Sequence, residues 1–409
     1  MTMTLNHDHP GRVATDLPVD AGLFAVPGLR GAGVATGVKP SGSLDLALIV
    51  ADEPMACAAM FTTSEAAAPP VHLCRETLAE HQTIRAIVVN SGNANALTGR
   101  RGRADAEAMK EAVEARVGGP ALVLSTGIIG VPLPVELVVS GINHAAEHLT
   151  SEADGLVAHG MMTTDTRPKT AAVNFELNGR RYTLGGVAKG SGMIHPNMAT
   201  MLAVMATDAP VEPARLQGML RHAVDRSFHE ITVDGDTSTN DAVILLAARG
   251  SEPLAQEDDD KLQRAITELA RNLAGQIIED GEGATRIMEI NVRGARSREV
   301  AQSVAKAIAT SSLVKTALAG GHPNWGRIVA AAGTAGVPID TDAVGLHMAG
   351  HEVLRRGLPL EVDETTLRAA VSGRRVEVTL DLGDGDHAGR MLTTDLTHRY
   401  VEINAEYTT

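Results

Sequence analysis

Aromatic side chains are nearly missing from this chain: one Trp, three Tyr and four Phe in 409 residues. A core without them has to be assembled from Ala, Val, Ile, Leu and Met, which favours close helix-on-sheet packing through many small contacts. Cysteine is scarcer still. Cys57 and Cys74 stand alone with no metal-ligand spacing, so they read as reduced thiols in or near the core, not as a disulfide framework. CxxC, HExxH and EF-hand loops are absent, and no metal is expected. The longest unbroken apolar runs, such as LALIVA at 46–51, fall far short of the roughly 20 residues that span a bilayer. The polar opening MTMTLNHDHPGRVATDLPVD lacks the apolar stretch of a secretory signal and reads as a loose lead-in. An excess of positive charge is missing too: 36 Lys and Arg against 50 Asp and Glu give a net charge of −14. That balance argues against nucleic acid or an anionic membrane surface as partner, since both need clustered cations. It suits a cytoplasmic protein handling small charged metabolites.

What the chain does have is 44% apolar residues arranged in short runs. Candidate strands are 44–50, 86–90, 121–125, 171–177, 182–188, 200–206, 242–248, 286–292 and 376–382; candidate helices are 103–117, 135–149, 212–226, 258–279, 297–310 and 326–333. Many of the strands are apolar throughout instead of alternating, as in sheets covered on both faces. The expected class is therefore α/β or α+β, with stacked β-sheets covered by helices.

Between these runs lie segments dense in Gly, Asn, Ser, Thr and Asp: NSGNANALTG (90–99), STGIIG (125–130), MTTDTRPK (162–169), KGSGMIHPN (189–197), DGDTSTND (234–241), EDGEGATR (279–286), GGHPNWGR (320–327) and NAEYTT (404–409). Any one of them is most simply a turn. Together they predict a polar cleft at the ends of several strands, where backbone N–H groups become available to a ligand. No GxSxG elbow, P-loop or dinucleotide fingerprint accompanies them. His195 and His322 each precede Pro and read as positional. Thr200 admits two readings. It opens an apolar strand, or it is a nucleophile whose base is its own α-amine, which exists only if the Ala199–Thr200 bond is cut. Small Ala199 and the glycines at 190 and 192 would allow the strained loop such a cut requires.

Taken in order, STGIIG, MTTDTRPK, AKGSGMIHPNMATML, DGDTSTND, DGEGATR, VKTALAGGHPNWGR and the closing YVEINAEYTT resemble the ornithine acetyltransferase family, the bifunctional glutamate N-acetyltransferases of arginine biosynthesis. The likeness runs from about residue 24 to the last. It implies a self-cleaving enzyme of N-terminal-nucleophile-like architecture, cut between Ala199 and Thr200 into chains 1–199 and 200–409 that associate as a heterotetramer of two copies of each. It implies that Thr200 carries the acetyl group in a ping-pong exchange from N-acetylornithine to glutamate. Thr126 and Gly127 would form the oxyanion hole, and Thr163, Lys189, Thr200, Glu282, Asn404 and Thr409 would contact substrate. No cofactor is implied; acetyl-CoA as a second donor is left open by these motifs. A carboxylate partner for Lys189 and an ammonium partner for Glu282 match an amino-acid substrate. Two rivals remain at this level: a self-cleaving aminopeptidase or amidohydrolase, and a non-enzymatic metabolite-binding protein.

Overall fold

A computed structural model describes residues 21–195, 201–250, 254, 255 and 258–406. It contains an eight-stranded and a seven-stranded sheet. The first holds β1 (Leu29–Val34), β2 (Leu46–Phe61), β3 (Thr83–Asn93), β4 (Ala121–Ile128), β5 (Lys169–Leu177), β6 (Arg180–Lys189), β7 (Leu202–Pro210) and β9 (Ala242–Ala248). They run in the order β4-β3-β2-β9-β7-β6-β5, with β1 paired to β2. The second holds β8 (Ile231–Thr232), β10 (Ile287–Ala295), β11 (Gly345–Met348), β12 (His351–Arg355), β13 (Leu358–Pro359), β14 (Arg375–Asp381) and β15 (His387–Thr394), in the order β13-β12-β11-β14-β10-β15-β8. The stacked-sheet α/β expectation holds.

The long strand β2 decides the shape. Its run LALIVA is broken by Asp52, Glu53 and Pro54, and its pairing with β3 shifts register between Val50 and Met55. Pro and two charges cannot continue a doubly covered strand, so a bulge forms and the strand turns. Its first part pairs with β1 and β3, and its last part with β9. The sheet thereby folds over on itself. Ala47, Ile49, Ile87, Val89, Leu122 and Leu124 from one half share a single core cluster with Val187, Leu202, Val204, Ile244 and Leu246 from the other.

Successive residues alternate between this inner layer and an outer one. Leu46, Leu48, Val88 and Val123 meet α2 (Gly99–Val117) and α3 (Val135–Glu147), while Ala203, Met205, Val243 and Leu245 meet α5 (Pro213–Val224) and α6 (Asp259–Glu279). This is why the strands read as apolar throughout: both faces are dry. Helix α6 also packs against Ile231, Ile287 and Leu392, so it lies between the two sheets. Beyond the second sheet, α7 (Arg298–Ala309), α8 (Ser312–Ala319), α9 (Trp325–Ala332) and α10 (Glu364–Ala370) close the structure. Near the carboxyl end, α11 (His398–Glu406) turns back toward the first sheet.

The six candidate helices are all found, within four residues at the start and two at the end. Not anticipated were α1 (Pro69–Glu80), α4 (Asp154–Met161), α8 and α10, nor the strands β1, β8, β11–β13 and β15. STGIIG, expected to follow a strand, in part belongs to one, since β4 continues to Ile128. Cys57 and Cys74 are buried and unpaired. Among the described residues no helix is long and apolar enough to cross a membrane. The two expected chains are interleaved, because β6 and β7, on either side of the 199–200 junction, are antiparallel neighbours from Leu184↔Thr207 to Lys189↔Leu202.

Candidate active site

The fold-over of the first sheet carries the end of β4 across to the end of β6. A cleft of about 630 Å³, partly open to solvent, lies where they meet. Its lining includes Thr126, Gly127, Thr163, Lys189, Glu282 and Asn404, six of the residues expected at a substrate site. The remaining expected positions, Ala199, Thr200 and Thr409, lie outside the described residues.

Gly127 is where only glycine fits. Its φ is +132°, and a Cβ would stand 2.4 Å from the carbonyl carbon of Gly92 and 2.5 Å from the nitrogen of Asn93. That close approach to β3 lies one residue before the end of β4 and sets Gly127 beside the buried Thr126 in the cleft lining.

Lys189, 1% exposed, ends β6 and reaches across the fold-over. Its Nζ donates to the Thr163 hydroxyl at 2.8 Å and to the Thr126 hydroxyl at 3.4 Å. Burial lowers its pKa from the ordinary lysine value; Asp165, with Nζ 3.8 Å from its Oδ2, pulls the other way. On the far wall, Glu282 Oε2 accepts from Asn404 Nδ2 at 2.9 Å, so α11 orients this carboxylate. The carboxylate lies so close over Gly192 that a Cβ there would be 2.4 Å from it.

Beneath the lining runs a chain of buried charges that the sequence reading did not single out. Asp165 accepts from the Thr163 N–H at 3.0 Å, the Gly190 N–H at 2.7 Å and Lys169 Nζ at 2.7 Å. Lys169 Nζ donates also to Asp280 at 2.6 Å, which in turn accepts from the Thr166 N–H at 3.0 Å and from the Thr166 hydroxyl. Three loops, carrying Thr163, Lys189 and Glu282, are thus fastened by Asp165–Lys169–Asp280. Burial alone would raise the Asp165 pKa, but Lys189 and Lys169 outweigh it and hold the carboxyl well below the usual range. The stabilisation that this depressed pKa represents is complete above the ordinary carboxylate range and is lost as pH falls below it.

Replacing Lys169 with Met should strand two carboxylates, since the lysine side chain is 0% exposed and its partners 0% and 4%. The expected loss is about 3–5 kcal/mol of unfolding free energy, read from the denaturation midpoint. A loss below about 1 kcal/mol would mean that the pair is solvated.

DGDTSTND supplies the cleft's roof: Ser238, Thr239 and Asn240 line it, and Asn240 Nδ2 donates to the Ala94 carbonyl at 2.7 Å. Asp234 accepts from the Met193 and Ile194 N–H groups at 2.6 and 3.0 Å and from the Tyr400 hydroxyl at 3.2 Å, pinning the 191–195 loop. Desolvation raises its pKa to about 6. His195 does not line the cleft; it bonds Thr232 at 3.2 Å, and burial with Lys306 nearby lowers its pKa to about 4, leaving a neutral ring. The positional reading of His195 agrees with this.

Hydroxyl and backbone groups at a strand end, set against a buried ammonium, suit a reaction in which negative charge develops on an oxygen, and the class these walls define is an acyl-transfer enzyme. Comparison with known proteins sharpens the class: residues 30–409 match the ArgJ family model, and the chain belongs to that family, whose members are acetyltransferases of arginine biosynthesis. It is 44% identical over 395 residues, 96% of either chain, to the arginine biosynthesis bifunctional protein ArgJ of Parasynechococcus marenigrum. Against the ArgJ of Methylococcus capsulatus it is 45% identical over 400 residues, covering 95% of this chain and 97% of that one. Among solved structures, ornithine acetyltransferase from Mycobacterium tuberculosis complexed with ornithine matches 45% of this chain and 98% of its own at 39% identity and a TM-score of 0.41. A chain of ArgJ from Bacillus halodurans matches 49% of this chain and 96% of its own at 37% identity and a TM-score of 0.47.

Proposed function

We propose that this chain moves an acetyl group from N2-acetylornithine to glutamate through an ester on Thr200, after cutting itself between Ala199 and Thr200. The observation that carries the reading is the convergence of Thr126, Gly127, Thr163, Lys189, Glu282 and Asn404, drawn from five separate segments, on one cleft. In the cut, Thr200 Oγ adds to the Ala199 carbonyl, the C–N bond breaks as the nitrogen takes the hydroxyl proton, and water hydrolyses the resulting ester. The freed α-amine then serves as base. It takes the Oγ proton as Oγ attacks the acetyl carbonyl, and Thr126 and Gly127 donate to the oxyanion. Ornithine leaves with that proton on its α-nitrogen. The α-amine of glutamate attacks the acetyl-threonine, and N-acetylglutamate departs as Oγ regains a proton.

Lys189 pairs with the substrate carboxylate, while Glu282, steadied by Asn404, receives the side-chain ammonium of ornithine. Thr409 would complete the site from the chain's end. Acetyl-CoA is a second donor to be tested, and two copies of each fragment are the expected assembly of this cytoplasmic enzyme.

The test is direct. Purified protein incubated with N-acetylornithine and glutamate should release ornithine and N-acetylglutamate in equal amounts. Denaturing electrophoresis should show two bands, one beginning Thr-Met-Leu-Ala. A fully active single band would overturn the processing, and the absence of transfer with two bands present would overturn the substrates. Replacing N-acetylornithine with acetyl-CoA in the same assay decides the second donor.

A further inference from the structure

Helix α11 brings little apolar surface to the core. None of its nine residues is buried, and Tyr400 packs only at the core's edge. A helix that short does not stand alone in water, so polar contacts must seat it. The Thr397 hydroxyl, just before the helix, donates to the Gly283 carbonyl at 2.7 Å and accepts from the Tyr400 N–H at 3.2 Å. Gly283 has a φ of +65°, and a Cβ there would stand 2.5 Å from the Tyr400 nitrogen. The helix thus rests directly on the segment that carries Glu282. Tyr400 and Asn404, one turn apart, share a face. The Tyr400 hydroxyl donates to Asp234 Oδ2 at 3.2 Å, and Asn404 Nδ2 donates to Glu282 Oε2 at 2.9 Å and to the Tyr400 carbonyl at 3.0 Å.

Glu282 therefore lies between two elements, α11 on one side and the 191–195 loop on the other. Its N–H donates to the Ser191 carbonyl at 2.9 Å, and its carboxylate leaves no room for a side chain on Gly192. The loop turns at Met193, whose φ of +54° is a left-handed conformation uncommon outside glycine. Asp234 meets both elements. Its Oδ2 accepts from the Met193 N–H at 2.6 Å as well as from Tyr400, and its Oδ1 accepts from the Ile194 N–H at 3.0 Å and the Asp236 N–H at 3.2 Å. One carboxylate oxygen thereby ties the loop beside Glu282 to the helix that orients it.

We propose that Asp234 is a positioning residue for the side-chain ammonium of the substrate: by tying the 191–195 loop to α11 through Tyr400, it holds the Glu282 carboxylate where that ammonium is received. This rests on the role given to Glu282 above and deepens it. Asp234 itself does not line the cleft, whereas Gly192, Met193, Glu282 and Asn404 do. An ion pair with a ligand is strongest when the protein's half is already in place, because a carboxylate free to swing must be ordered on binding. Loss of the tie should weaken recognition of the ammonium. The acetyl chemistry assigned to Thr126 and Gly127, on the other wall, should stay as it was.

The experiment compares Tyr400→Phe, Asp234→Asn, Glu282→Gln and the double variant Tyr400→Phe with Glu282→Gln, all in the full chain. Each is given N-acetylornithine and N-acetylnorvaline, the same acid without the terminal ammonium, the latter read as a substrate or as a competitive inhibitor. Tyr400→Phe should raise the KM for N-acetylornithine about 5- to 10-fold with kcat held within about twofold, and Asp234→Asn should raise it about 10- to 100-fold. The constants for N-acetylnorvaline should stay within about twofold of wild type. In the Glu282→Gln background, Tyr400→Phe should have no further effect, because no carboxylate remains to be placed. An unchanged KM, equal losses with the two compounds, or effects that multiply in the double variant would overturn the proposal. Should Asp234→Asn fail to fold or to be cut, Tyr400→Phe, which removes one hydroxyl, decides by the same criteria. If Glu282→Gln itself treats the two compounds alike, the ammonium site assigned to Glu282 fails and the proposal falls with it, a result told apart from failure at Asp234 and Tyr400 alone.

Discussion

Thr200→Ala should leave a single uncut chain of 409 residues with acetyl transfer reduced by at least about 10⁴-fold. The substitution removes a hydroxyl and a methyl group, and with them both the attack on the Ala199 carbonyl and the atom that would carry the acetyl group. The fold should survive. The neighbouring strand β7 is held by β6 on one side and β9 on the other, and its anchor at Met201 is a backbone nitrogen that the change leaves in place. Melting temperature and far-ultraviolet circular dichroism should therefore match wild type while transfer vanishes. A chain that was still cut, or that still turned over, would remove Thr200 from both roles.

Thr126→Val should have the second largest effect. Valine keeps the shape and the β-branch that suit the end of β4, so the strand has little reason to move. In the proposed mechanism what disappears is one donor to the developing oxyanion, worth about 10²–10³-fold in kcat. The same hydroxyl also accepts from Lys189 at 3.4 Å, but Lys189 keeps its shorter bond to Thr163 at 2.8 Å. The KM for N-acetylornithine should accordingly change much less than kcat. An equal rise in KM with kcat intact would assign Thr126 to substrate binding and take it out of the oxyanion hole.

Much of this architecture could be read before any coordinates. Strands such as AVILLAA and the core of LALIVADEPMACAAMF announce themselves because both faces are dry, and the run 242–248 coincides with β9 residue for residue. The strands that escaped notice are those that glycine and polar residues interrupt: LRGAGV in β1, GLHM in β11 and HAGRMLTT in β15. Helix α1, absent from the candidate helices, begins with Pro69 and Pro70, and proline is well placed in a first helical turn. The fold-over itself was not visible, because three residues, Asp52 to Pro54, look like a loop between strands when they are a bend within one.

The cleft was legible to a different depth. Its lining could be named from motifs, yet Asp165, Lys169 and Asp280 sit in or beside the same quoted segments and went unassigned. A charged residue in a polar loop is ordinarily a solvated one. Only when segments 111 positions apart in the chain close on each other does Lys169 become a buried tie.

The interleaving of β6 and β7 has a consequence for the enzyme's lifetime. As long as residues 199 and 200 are joined, folding is a search within one molecule. Once they are parted, the two pieces share a sheet and two core clusters to which each supplies only part. Recovery after unfolding then becomes an encounter between separate molecules, slower at every dilution, each carrying bare apolar strands that aggregate more readily than they find their match. The proposed cut would make the native state a place reached once: maturation would also be the surrender of reversibility, and the working enzyme would persist by the height of its unfolding barrier.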